Sequence, residues 1–164
     1  MIRTLYSSAK GFAWLAFGVG IVHAGFSVYW AVGGHWLLGT VGQWAVRLSE
    51  ESPLYTGLVL GLVAGLKLGG ATVPVCLSYG RVRSTKFWRI LLGTGGALLT
   101  LYGGVNVVVS NAVLAGVIHS GDGYDLDAMR GHAFLWDPLF LVWGLSLLAF
   151  LYASRERPSR GPSI

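Results

Sequence analysis

The chain has 164 residues, of which 54% are hydrophobic, 12% charged and 13% aromatic, with 25 glycines and a formal charge of +5. Soluble domains carry about 25% charged residues, so half that fraction leaves too little polar surface for a chain that faces water on all sides. The positive charge does not point to nucleic acid, because long apolar runs separate the basic clusters and keep them from gathering on one wet face.

Four segments, 11–32, 55–78, 90–118 and 133–153, are apolar and long enough to cross a hydrocarbon core about 30 Å thick, which takes about 20 helical residues. Backbone N–H and C=O groups cannot go unpaired in lipid, so each segment is expected as a helix. The expected fold is all-α, an integral membrane four-helix bundle formed by one domain over residues 1–153, with a disordered basic tail over 154–164. Arg3, Lys10, Arg81, Arg83, Lys86, Arg89, Arg155, Arg157 and Arg160 fall on one side of such a bundle, and only Arg47 and Arg130 on the other. That asymmetry puts both termini in the cytoplasm, as in a multi-pass protein of the plasma membrane. Arg3 and Lys10 ahead of an apolar run ending in Val22-His23-Ala24 have features of a cleavable signal. The run continues to Val32, however, and a retained first helix is the better reading.

In the first span Gly20, His23, Ser27 and Trp30 share a face, which makes a polar stripe in an otherwise apolar helix. The second span carries Gly57, Gly61, Gly65 and Gly69, a ridge of small residues that lets two backbones approach in lipid. Its counterpart is expected either in Gly96, Thr100 and Gly104 of the third span or in the same ridge of a second copy, as a homodimer. Lys67 lies about 12 residues into this span, hence about 18 Å deep, and a lysine at that depth marks a functional site. It falls on the side of the helix away from the glycine ridge. Pro74 is expected to bend the helix, and Cys76 reads as a buried structural thiol.

In the third span Asn106 and Ser110 share a face with Gly103, while Asn111 lies well round the helix. Depth places His23 and Asn106 near Lys67, and His35, His132, Trp136 and Asp137 nearer the outer surface. Asp137 precedes Pro138, so either a helix starts there with the carboxylate as N-cap, or a longer helix is kinked at the proline. Trp30, Trp36, Trp44 and Trp136 fit an outer aromatic belt and Trp88 an inner one.

His23, His35, His119 and His132 have no close metal spacing, and an expected depth difference of about a dozen ångströms argues against a haem bridging His23 and His132. The acidic loop Asp122-Gly123-Tyr124-Asp125-Leu126-Asp127 departs from the EF-hand pattern and reads as solvated. No metal and no cofactor is expected.

Tyr29-Trp30-Ala31-Val32-Gly33-Gly34, His132-Ala133-Phe134-Leu135-Trp136-Asp137-Pro138 and the later Trp143-Gly144 resemble a family of small bacterial four-span membrane proteins classed as a domain of unknown function. The resemblance runs from the first span through the fourth and implies the same four-span count. It carries over no catalytic residue, and Lys67 lies outside its motifs.

The expected function is noncatalytic: binding a lipophilic or small polar ligand in an outward-opening cavity, or serving as a membrane partner subunit. Lys67, His23, Asn106 and Asp137 are the candidate ligand-binding residues, with Trp30 and Trp136 lining the entrance. The alternative is a membrane-embedded enzyme or redox protein using Lys67 or His23. A small transporter or channel ranks third, since four spans enclose little pore unless the chain oligomerises.

Overall fold

The computed structural model describes residues 2–119 and 123–155. The expected tail from residue 156 onward, and Asp122 of the acidic loop, lie outside the described residues. Six α-helices follow in chain order: α1 (Ile2–Ala31), α2 (Gln43–Glu51), α3 (Pro53–Ser78), α4 (Lys86–Leu114), α5 (Leu126–Gly131) and α6 (Asp137–Ala153). A 3-10 turn (Leu38–Thr40) precedes α2, and a π-helical turn (His132–Trp136) joins α5 to α6 without a break. There is no strand among the described residues.

Four stretches are long and apolar enough to cross a membrane: Ser8–Ala31, Pro53–Ser78, Lys86–Leu114 and Leu126–Ala153. The third ends four residues earlier than its hydropathy suggested, because the chain turns after Ala115 at Gly116, whose φ is positive. The fourth starts seven residues earlier, because Asp125 caps α5 by accepting hydrogen bonds from the amides of Asp127 and Ala128, both at 3.1 Å. That gives Asp125 a structural task.

The long helices stand in the order α3, α1, α6, α4, with α1 and α6 at the centre. Side-chain size explains the order. One face of α1 runs through Ala9, Ala13, Ala16, Gly20, Ala24 and Ser27, all small, and its alanines and serine are buried. A Cβ on Gly20 would sit 2.6 Å from that of Ala71 on α3 and 2.8 Å from the indole of Trp143 on α6, so one glycine lets both neighbours approach. Between α4 and α6 the small residues face each other. A Cβ on Gly144 would lie 2.5 Å from Thr100 Oγ1 and 2.6 Å from the Gly96 carbonyl, and one on Gly103 would lie 2.5 Å from the Asp137 carbonyl. Close backbone contacts of this kind are the packing that small residues allow between helices. Arg89 adds a polar tie, donating from Nη2 to the Leu151 carbonyl at 3.1 Å and from Nη1 to Ser154 Oγ at 3.2 Å.

The expected packing of the α3 ridge against Gly96, Thr100 and Gly104 is not what forms. Gly96 and Thr100 serve α6, and α3 and α4 share no packed face. Of the ridge glycines only Gly57 is used for close approach, 2.8 Å from the Ala31 carbonyl of α1 by its missing Cβ. Gly61, Gly65 and Gly69 face open space. A cleft of about 610 Å³ separates α3 from α4, walled by Gly65, Gly69 and Gly95 and floored by Phe140, Trp143 and Leu147 of α6. Pro74 is fully buried within α3 and Cys76 is half-buried.

Gly144→Ala is expected to destabilise the fold by about 1–3 kcal/mol through overpacking. Gly61→Ala is expected to stay within about 0.5 kcal/mol of wild type. Thermal melts in detergent check both, and equal midpoints for the two variants would refute the assigned contact.

Candidate functional site

The site begins with a proline. Pro138 has no N–H to give the carbonyl of Phe134, and its ring crowds that carbonyl in a regular α-helix. The chain takes up the misfit in the wider turn His132–Trp136. Asp137 is therefore helical, with φ −78° and ψ −34°, and no side-chain cap forms at this junction. Of the two arrangements expected at Asp137-Pro138, the chain takes the longer helix that runs through the proline, and the carboxylate is free for a different contact. Its Oδ2 lies 2.8 Å from His132 Nδ1, and the carboxylate is fully buried.

The other ring nitrogen of His132 bears on the chemistry of that pair. Nε2 lies 3.3 Å from the Val41 carbonyl, which only accepts, so this contact is a hydrogen bond in those forms of His132 that carry a hydrogen on Nε2. In those forms the Nδ1 contact needs a proton on one partner: an imidazolium donating to a carboxylate, or a carboxylic acid donating to the imidazole. Asn106 of α4 faces the same carboxylate. Asp137 Oδ1, however, has no hydrogen-bond partner of good geometry.

Around this pair the segment 37–41 folds down as a cover. Gly131 has no Cβ to strike the Thr40 carbonyl, which packs directly against it. Trp136 Nε1 donates to Thr40 Oγ1 at 3.0 Å, and Thr40 Oγ1 donates to the Leu37 carbonyl at 2.6 Å. Trp136 is only 4% exposed and meets Phe26 and Trp30 edge to face, so it is a buried wall of the site and not a belt residue. Trp36 and Trp44 are exposed, and Trp30 is tied by its Nε1 to the Trp36 carbonyl at 2.9 Å.

Lys67 reaches inward from α3. Its Nζ donates to Ser27 Oγ at 2.9 Å and lies 5.7 Å from the centre of the Phe140 ring, while Ser27 Oγ in turn donates to the His23 carbonyl at 3.1 Å. The His23 ring is buried and stacks on Phe140 at 4.0 Å between centroids. Its Nε2, like Trp143 Nε1 and Asp137 Oδ1, is buried without a hydrogen-bond partner. Each such group costs about 1–3 kcal/mol until something satisfies it.

Lys67, His23, Ser27, Trp30, His132, Trp136 and Asp137 thus line one chamber of about 170 Å³. His23 and His132 both line it, although the sequence placed them at different depths. Asn106 stands beside it through Asp137 and is not in its wall. His35 and His119 are exposed, and Asn111 is bound to its own helix through the Val107 carbonyl at 2.7 Å. Among the described residues no three His, Cys, Asp or Glu side chains converge as a metal-ion site. Sequence reasoning missed Phe140 and Tyr102, whose rings meet edge to face at 5.7 Å, and the Val41 carbonyl. Trp136, Phe140 and Trp143 recur at helical spacing, which is the signal from which an aromatic wall could have been read.

The chamber and the α3–α4 cleft adjoin, and Lys67, Phe140 and Val63 form a wall common to both. The chamber carries the polar side chains and the cleft is almost wholly apolar.

Asp137→Ala is expected to lower stability by about 1.5–3 kcal/mol by leaving His132 without its partner, and Thr40→Val by about 1–3 kcal/mol by orphaning the Trp136 N–H. Thermal unfolding in detergent reads both. A wild-type midpoint for Asp137→Ala would remove the pair from the structural framework.

Residues 20–147 match the family described as protein of unknown function (DUF3995). No curated protein and no solved structure matches the chain.

Proposed function

The chain belongs to the DUF3995 family of proteins of unknown function, whose description names no activity, and we propose one from the geometry. The protein is a multi-pass protein of the plasma membrane with both termini in the cytoplasm, and it binds an amphiphilic molecule drawn from the bilayer. The apolar part of the ligand lies in the cleft between α3 and α4, and its polar head enters the chamber. The observation that carries this reading is the shared wall: Lys67 and Phe140 border the apolar cleft and the polar chamber at once. Ser27 takes one of the three N–H bonds of Lys67, which leaves donors for a head group. The unpaired His23 Nε2 and Asp137 Oδ1 offer that head further polar partners. The open glycines of α3 support the same reading, since side chains at Gly65 and Gly69 would fill the cleft.

Native mass spectrometry of protein released gently from its own membranes tests this. Wild type is expected to retain an extra mass that Lys67→Met and Gly65→Leu each reduce at least tenfold while folding is unchanged. Retention unaffected by both variants would refute the site. A dimer that Gly65→Leu converts to monomer, with ligand retention intact, would instead assign the ridge to a homodimer.

The His132–Asp137 pair favours a second reading, in which Lys67 and this pair exchange protons with a bound substrate. Asp137→Asn separates the two. A binding protein loses ligand, whereas an enzyme accumulates its substrate unchanged while wild type releases an isomer of it.

A further inference from the structure

At the end of the bundle that holds Arg89 and the α6 C-terminus, a second groove of about 700 Å³ runs between α4 and α6. On α4 its wall is Lys86, Arg89, Ile90 and Gly93, spaced i, i+3, i+4 and i+7, which is one helical face. On α6 the facing wall runs from Leu145 and Leu148 through Tyr152 to Arg155, again at helical spacing. The groove is therefore apolar along its length and carries three cations at one end, with no acidic residue in its wall.

Two features make that end more than a chance cluster. Arg89 is half-buried and immobilised by its bonds to the Leu151 carbonyl and Ser154, so its guanidinium is held in place before anything binds. It also neutralises the negative pole of α6. The same rim holds the start of α4, where Thr85 gives no side-chain cap. The first amides of α4 and the positive pole of a 29-residue helix thus stand uncapped beside Lys86 and Arg89.

We infer that this groove is a binding site for an anionic phospholipid, with its phosphate at Lys86, Arg89 and Arg155 and an acyl chain along Ile90, Gly93 and Leu148. Charge complementarity selects the anion, and the apolar floor selects a lipid over a soluble phosphate. The inference rests on the chain spanning a bilayer, as proposed above, and is independent of the chamber.

Flotation of the full chain with pure phosphatidylcholine vesicles tests the membrane reading by itself, and a chain that fails to float overturns that reading. The site is then tested by native mass spectrometry from micelles holding equal amounts of phosphatidylglycerol and phosphatidylcholine. Wild type is expected to retain phosphatidylglycerol at least tenfold over phosphatidylcholine. Lys86→Gln with Arg155→Gln is expected to bring the ratio near one, while Arg81→Gln with Arg83→Gln, outside the groove, leaves it unchanged. No preference in wild type, a preference that survives in the groove variant, or equal loss in both variants would overturn the inference. Displacement of phosphatidylglycerol by excess inorganic phosphate would overturn it too, by assigning the rim to a soluble anion.

Discussion

Five residues of widened helix hold the chamber together. On an α-helix, residues five apart point about 140° away from each other, and His132 could not reach Asp137. The π-helical turn His132–Trp136 brings residues five apart nearly over one another, and the ring of His132 then meets Asp137 Oδ2 at 2.8 Å. The same turn aims Trp136 at Thr40 and His132 Nε2 at Val41, so the segment between α1 and α2 closes over the site through two side chains of a single turn. Pro138 favours the turn, since its ring crowds the carbonyl four residues back and it has no N–H to give it, although α3 stays α-helical around Pro74. Strain at the proline is thereby converted into a buried polar pair.

The cleft has a different origin. In lipid, helices are sorted by how closely their backbones can come and by the polar bonds they exchange. Gly20 allows α1 to touch α3 and α6, and Gly96, Gly103 and Gly144 allow α4 to touch α6. No comparable contact exists between α3 and α4, so the bundle is left open on that side. Lys67 sits where the opening meets the polar interior, bound to Ser27 and set against Phe140. A charged head held over an aromatic ring at the mouth of an apolar cleft is the arrangement that an amphiphile's two ends require.

The sequence was readable where its signals are additive along one helix. Four long apolar runs, a polar stripe of His23, Ser27 and Trp30, and a lysine deep in the second run all follow from periodicity and length. The glycine ridge was readable as a surface but not in its use, because spacing shows that a face is small and does not show what lies opposite it. Gly96 and Thr100 fit α3 and α6 equally well on paper, and only the three-dimensional order of helices decides for α6. The pairing of His132 with Asp137 was invisible for a sharper reason: a period of 3.6 puts the two residues on different faces, and the departure from that period is what makes the site. The Val41 carbonyl has no sequence signal at all, since every residue carries one.

A density map of the protein in nanodiscs cut from native membrane, at a resolution that shows bound lipid, is the most direct measurement of the chamber and the cleft beside it. Elongated density is predicted to run from the α3–α4 cleft past Phe140 and to end against Lys67 and the His132–Asp137 pair. A map with α3 packed on α4, or with lipid in the cleft that never reaches Lys67, would contradict it.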